Sequence, residues 1–171
     1  MIKTYRLKNL LMAGQITGPE LEALLQKKDY LGALYDLRND RVWMADIVQN
    51  PMAMAAVLAS ETAMAAVLAS ETAMAAVNNS SIAKNVFFKS PKKRTVSVGD
   101  NTWIWQNIAN GRGVFVRYQG RSHNNNKLKV DNTKEFVVEG EDFLKIIPYT
   151  SNLQIYRYYS GATVHYIPFG D

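Results

Sequence analysis

The chain has 171 residues, 47 % apolar and 20 % charged, a balance that excludes intrinsic disorder and predicts one or two small folded cores. It has no cysteine, which excludes disulfides and thiolate chemistry, and His123 and His165 are its only imidazoles. The net charge of +5 is uneven, with seven Lys/Arg against six Asp/Glu in residues 1–50, one against two in 51–85 and twelve against seven in 86–171.

No apolar run reaches the roughly 18 residues of a membrane span, and Lys3, Arg6 and Lys8 lead into a short amphipathic stretch without a signal-peptide core. A soluble protein that is not Sec-exported is expected. Leu7, Leu10 and Leu11 form an apolar stripe, and Ala13-Gly14 offers a helix stop. Thr17-Gly18-Pro19-Glu20 reads as a helix start, because Thr17 caps while Pro19 and Glu20 suit the first turn. Leu21, Leu24 and Leu25 follow at helical spacing, and so do Leu31, Leu34, Tyr35 and Leu37, then Val42, Trp43, Ile47 and Val48. Residues 1–49 are therefore expected to form a helical cap or anchor.

The middle holds a repeat. Ala53-Met54-Ala55-Ala56-Val57-Leu58-Ala59-Ser60-Glu61-Thr62 recurs unchanged from Ala63 to Thr72, and Ala73 to Val77 begins a third copy. Asn50 and Ser80 extend the ten-residue phase of Ser60 and Ser70, so a good capping residue stands at every tenth position. Pro51, Glu61 and Glu71 then occupy first-turn positions. One long helix is the competing reading. Ten residues, however, turn equivalent positions by roughly 80° per repeat, too far for a supercoil to absorb. Short helices broken at each serine are expected, stacked as a small solenoid or bundled with other chains. The repeat surface is nearly all apolar, so residues 50–85 are predicted to associate through Met54, Val57, Leu58, Met64, Val67, Leu68, Met74 and Val77.

From Val86 the pattern becomes strand-like. Nine β-rich runs stand out: 86–88, 95–98, 103–105, 114–118, 128–130, 136–138, 143–147, 153–159 and 163–167. Turn residues at 98–101, 110–113, 124–126, 139–140 and 160–161 separate them. Residues 86–171 are thus an expected all-β domain, an antiparallel sandwich or jelly roll, and the whole chain a segregated α+β protein. Alternation puts Val114, Val116 and Tyr118 on one face, and Gln154, Tyr156 and Tyr158 opposite Leu153, Ile155, Arg157 and Tyr159.

The chain contains no nucleotide-binding glycine motif, no HExxH, no GxSxG and no cysteine metal pattern, so no enzymatic activity, metal or cofactor is expected. Glu139-Gly140-Glu141-Asp142 reads as a solvated acidic turn, with a calcium site as the sharper alternative. His123 and His165 read as a loop and a strand-surface residue. Lys92-Lys93-Arg94 reads as a solvated turn rather than a phosphate-binding patch, so nucleic acid is not an expected partner. Trp103 and Trp105 share a strand face by spacing, and with Tyr156, Tyr158 and Tyr166 they form a candidate glycan-stacking surface. Core packing or a subunit interface is the plainer reading of the same aromatics.

The decapeptide resembles the Ala-Met-Ala-Ala-Val-Ala-x-Ser tandem repeats of tailed-bacteriophage structural proteins, tail-fibre-like and other appendage proteins in which a C-terminal β domain often follows. The resemblance covers residues 50–81 and carries over no catalytic residues. It implies a virion structural protein, homotrimeric, with the N-terminal part docked on other capsid or tail proteins and the β part projecting. With so few repeats the object would be short, a capsid decoration or appendage. A carbohydrate-binding host-recognition module and a basic nucleic-acid-binding protein are the alternatives from other classes.

Overall fold

The computed structural model describes residues 2–99, 103–158 and 161–170. It divides into two compact units, 1–90 and 91–171, the first helical and the second built of strands. This is the segregated α+β architecture expected, with a later boundary.

The helical unit contains α1 (Ile2–Met12), α2 (Gly18–Leu25), α3 (Lys28–Arg38), α4 (Arg41–Ile47), α5 (Pro51–Leu58), α6 (Glu61–Leu68), α7 (Glu71–Asn78) and α8 (Ser81–Phe88). α1 ends where expected: Gly14 is left-handed at φ 64°, and the amide of Gln15 returns to the carbonyl of Leu10. α2 starts in a capping box, with Thr17 and Glu20 each accepting the other's amide. From α4 onward each helix is preceded by a break of two or three residues whose last member is extended. Asp40, Asn50, Ser60, Ser70 and Ser80 are all extended, and each side chain accepts an amide three residues on. Because the break conformation barely changes (Ser60 φ −106°, ψ 117°; Ser70 φ −106°, ψ 118°), the bend repeats and a superhelix results. α5 and α6 are bent by 103°, and a full circle at that angle takes about three and a half helices. Accordingly α2 packs on α5 and α6, α3 on α6, α4 on α7 and α5 on α8.

The capping side chains also fasten successive turns. Ser70 Oγ donates to the carbonyl of Arg38 at 3.0 Å, Ser80 Oγ to that of Val48 at 2.9 Å, and Asn50 Nδ2 to that of Met12 at 2.9 Å. Each cap thus satisfies a helix start in its own turn and a helix end in the turn before. Ser60 is the variant: it donates to Glu22 Oε2 at 2.6 Å, and Thr62 Oγ1 donates to Glu22 Oε1 at 2.6 Å. Burial pulls the Glu22 carboxyl up, but these hydrogen bonds outweigh it and hold the group below the usual glutamate range. The alanine three positions after each cap (Ala53, Ala63, Ala73 and Ala83) is wholly buried, as only a small side chain fits where turns meet.

This stacking corrects the expected use of the repeat. Met54, Val57, Leu58, Met64, Val67 and Val77 are all buried inside one chain, and only Leu68 and Met74 of the eight are partly exposed. The apolar face that called for partner chains is covered by the solenoid itself. A second correction concerns Val86-Phe87-Phe88, which ends α8 rather than starting a strand. Phe87 is wholly buried, so the helical unit runs past residue 85 to Ser90.

Eight strands are described in the second unit: β1 (Arg94–Val98), β2 (Trp105–Asn110), β3 (Arg112–Gln119), β4 (Lys127–Val130), β5 (Lys134–Val137), β6 (Asp142–Tyr149), β7 (Asn152–Tyr156) and β8 (Ala162–Phe169). They form two four-stranded antiparallel sheets, ordered β1-β8-β3-β6 and β2-β7-β4-β5. The antiparallel partners include β1·β8, β2·β7, β3·β6 and β4·β5, so the strands pair first with last and roll into a jelly roll. The innermost pair turns at Asp131 and Asn132, whose φ values of 55° and 59° suit the tight hairpin turn these residue types tolerate. Phe115, Tyr118, Leu128, Leu153, Ile155, Val164 and Tyr166 fill the space between the sheets. Val114, Val116 and Tyr118 do not share a face. A bulge between Phe115 and Arg117 shifts the alternation, so Phe115 and Tyr118 enter this core while Val114 and Val116 stay out of it.

Candidate functional site

The outward face of β7 organises the aromatics. Leu153 and Ile155 alternate into the core, and Arg157 is also buried, at 1 % exposed, with its guanidinium donating to the Gly99 carbonyl. Gln154, Tyr156 and Tyr158 therefore point the other way, as alternation predicts; Tyr159, expected with Arg157, lies outside the described residues. Across the β2–β7 ladder Trp105 stands opposite Tyr156, with ring centroids 5.6 Å apart. The Lys129 ammonium lies 3.9 Å from the centre of the Trp105 ring and 3.8 Å from Glu135, a cation–π contact inside a salt-bridged group.

Trp103 precedes β2 instead of belonging to it. Its φ is 69°, an uncommon backbone for a bulky residue. Its amide donates to the Arg157 carbonyl at 2.8 Å, its ring lies 4.1 Å from that of Tyr158, and the residue is 55 % exposed. His123 joins the same group, stacked on Tyr158 with centroids 3.7 Å apart and planes within 2°. Buried Asn126 ties these parts together. Its Nδ2 donates to the Arg121 carbonyl at 2.9 Å, its Oδ1 accepts the Tyr158 amide at 3.0 Å, and its own amide donates to the His123 carbonyl at 3.1 Å.

Four of the five expected aromatics thus gather along one face: Trp103, Trp105, Tyr156 and Tyr158. Tyr166 does not join them. It lies on β8 in the other sheet, paired with Arg94 and Phe115, and belongs to the core between the sheets. His123, Lys129 and Asn126 complete the group without any local signal in the sequence, since loop and strand partners are set by pairing between β4 and β7.

Two other sequence features have partners within the chain. Arg117 Nε donates to Asp142 Oδ1 at 2.6 Å, and this guanidinium holds the Asp142 carboxyl below its usual range. The Glu139–Asp142 turn accordingly commits its last carboxylate to an ion pair. His165 is buried, with Nδ1 2.9 Å from Thr95 Oγ1 and Nε2 2.9 Å from Gln119 Oε1, an arrangement that suits a neutral ring donating from Nε2. Burial, then the charges of Lys93 and Arg117, keep its pKa below that of a free histidine. Among the described residues no group of three or more His, Asp or Glu is placed to hold a metal ion, and no single helix is long and apolar enough to cross a membrane. Compared with known proteins, the chain matches no family model and no curated sequence.

Proposed function

We propose that this chain is a non-enzymatic structural protein of a tailed-bacteriophage particle, a short appendage or decoration whose helical unit docks on the virion and whose jelly roll projects. The carrying observation is the joining, in one chain, of a phage-like decapeptide repeat and an eight-stranded jelly roll, an architecture used by viral capsid and lectin domains. Docking by the helical unit is supported by apolar side chains left in solvent on its first and fourth helices. Ile2 is 81 % exposed, Tyr5 59 % and Val42 69 %, with Tyr5 in edge contact with Trp43 beside Val42. A homotrimer rests on the resemblance alone, because the apolar face of the repeat is covered within each chain.

The test is mass spectrometry and antibody labelling of purified particles from cells infected by the phage encoding this chain. The protein is expected in intact virions at a fixed copy number, and Tyr5→Lys with Val42→Lys should reduce its incorporation. A protein confined to the infected-cell lysate and missing from purified particles would defeat the proposal.

A further inference from the structure

We propose that the jelly roll binds carbohydrate, with the exposed face of Trp103 as the stacking platform and Tyr158, His123 and Asn126 as its positioning residues. This rests on the reading of the β unit as the projecting part, and it names a ligand class for that part.

The geometry selects Trp103 from the aromatic group. Tyr158 has the His123 ring at 3.7 Å and the Trp103 ring at 4.1 Å. Two rings so near one ring's centre do not fit on the same face, so Tyr158 is sandwiched and has no face to offer. Trp105 is capped by the Lys129 ammonium. Trp103 is different: it leans on Tyr158 from outside and stays 55 % exposed. Its left-handed backbone is a conformation that persists only where surroundings impose it, here the Arg157 carbonyl and the stack beneath. Asn126 fixes the lower layers by joining the His123 and Tyr158 backbones. The result is a flat, braced, amphipathic surface, whose ordering has been completed before any ligand arrives.

The ligand chemistry follows from that surface. One face of a pyranose is lined by weakly positive C–H bonds that suit the negative face of an indole, while its hydroxyls need hydrogen-bonding groups at the rim. Exposed Asn124 and Asn125 directly follow His123 in the pinned loop. A nucleobase also stacks on tryptophan, but single-stranded nucleic acid requires a cationic groove along its backbone. On this face Lys129 is instead drawn onto Trp105 and against Glu135.

The purified full-length chain should be applied to a printed array of oligosaccharides containing hexoses and N-acetylhexosamines, and bound glycans titrated by calorimetry. Trp103→Ala is expected to weaken binding by about tenfold or more, the loss of one aromatic stack. Trp103→Phe should keep most affinity, and Trp105→Ala should leave it within a few-fold, with unchanged circular dichroism reporting the fold of each variant. Absence of binding to every glycan, or equal binding by Trp103→Ala, would overturn the inference. So would salt-sensitive binding of a single-stranded oligonucleotide that Trp103→Ala abolishes. The assay needs no particle, so failure here leaves the virion assignment standing, and failure of that assignment leaves this binding testable.

Discussion

At the scale of single residues, burial decides what a substitution does. Met64 lies inside the solenoid at 1 % exposed. Met64→Asp places an unpaired carboxylate where no partner is available, and such changes cost at least about 4 kcal/mol. The expected outcome is loss of the helical transition in a urea melt, a folding defect that would precede any change in association. His165 acts through pH. Its folded pKa is lowered, so between the ordinary histidine value and the lower folded value the unfolded chain binds more protons. The stability it supplies is complete above about pH 6.5 and falls as pH drops below that. His165→Gln should flatten this part of the decline in urea midpoint against pH. A decline of unchanged steepness from pH 6.5 to 5.5 would refute the assignment.

At the scale of elements, the unit of construction is a ten-residue repeat, an eight-residue helix with a capping serine or asparagine just before it. Ser70 both caps α7 and bonds the Arg38 carbonyl and Asn39 Oδ1 in the preceding turn. Ser70→Ala removes the cap and leaves those acceptors unsatisfied, so a cost of about 1–3 kcal/mol is expected, measurable by chemical denaturation. The acceptors for Ser70 and Ser80 include main-chain carbonyls, which every unit possesses. An extra decapeptide inserted after Thr72 should therefore find equivalent partners and add one helix. Circular dichroism at 222 nm should rise by the corresponding increment while unfolding stays cooperative. Loss of cooperativity would mean that these turns are not interchangeable.

At the scale of the whole molecule, each unit has its own buried core, and the boundary between them is testable. Residues 1–90 retain α8, whereas a chain ending at residue 85 loses Phe87, which is wholly buried. Removing a buried phenylalanine costs about 3–5 kcal/mol. The 1–85 fragment should melt well below the 1–90 fragment in differential scanning calorimetry, and residues 91–171 should give a β-type spectrum alone. Equal melting of the two helical fragments would restore the boundary to the place where the sequence pattern changes.

What the sequence by itself determined about this protein is what depends on near neighbours. Capping at ten-residue intervals, the stop at Gly14, the capping box at Thr17, and the change from helical to alternating pattern act through residues a few positions apart. For that reason the helix starts, the segregated α+β class and the outward side of β7 were legible in advance. Asp40, one step earlier in the same ten-residue phase, caps α4 as well, although the sequence reading began the phase only at Asn50. Only the tertiary structure decided the rest. Whether the apolar repeat meets other chains or its own depends on bends such as the 103° between α5 and α6, and on bonds between turns such as Ser80 to Val48. Alternation also loses its count at the bulge in β3, and a three-residue run at Val86 is too short to tell a strand from a helix end. The aromatic site was legible only in part, through Trp103, Trp105, Tyr156 and Tyr158. It sends Tyr166 to the other sheet and brings in His123, because first-with-last strand pairing sets neighbours that no local spacing encodes.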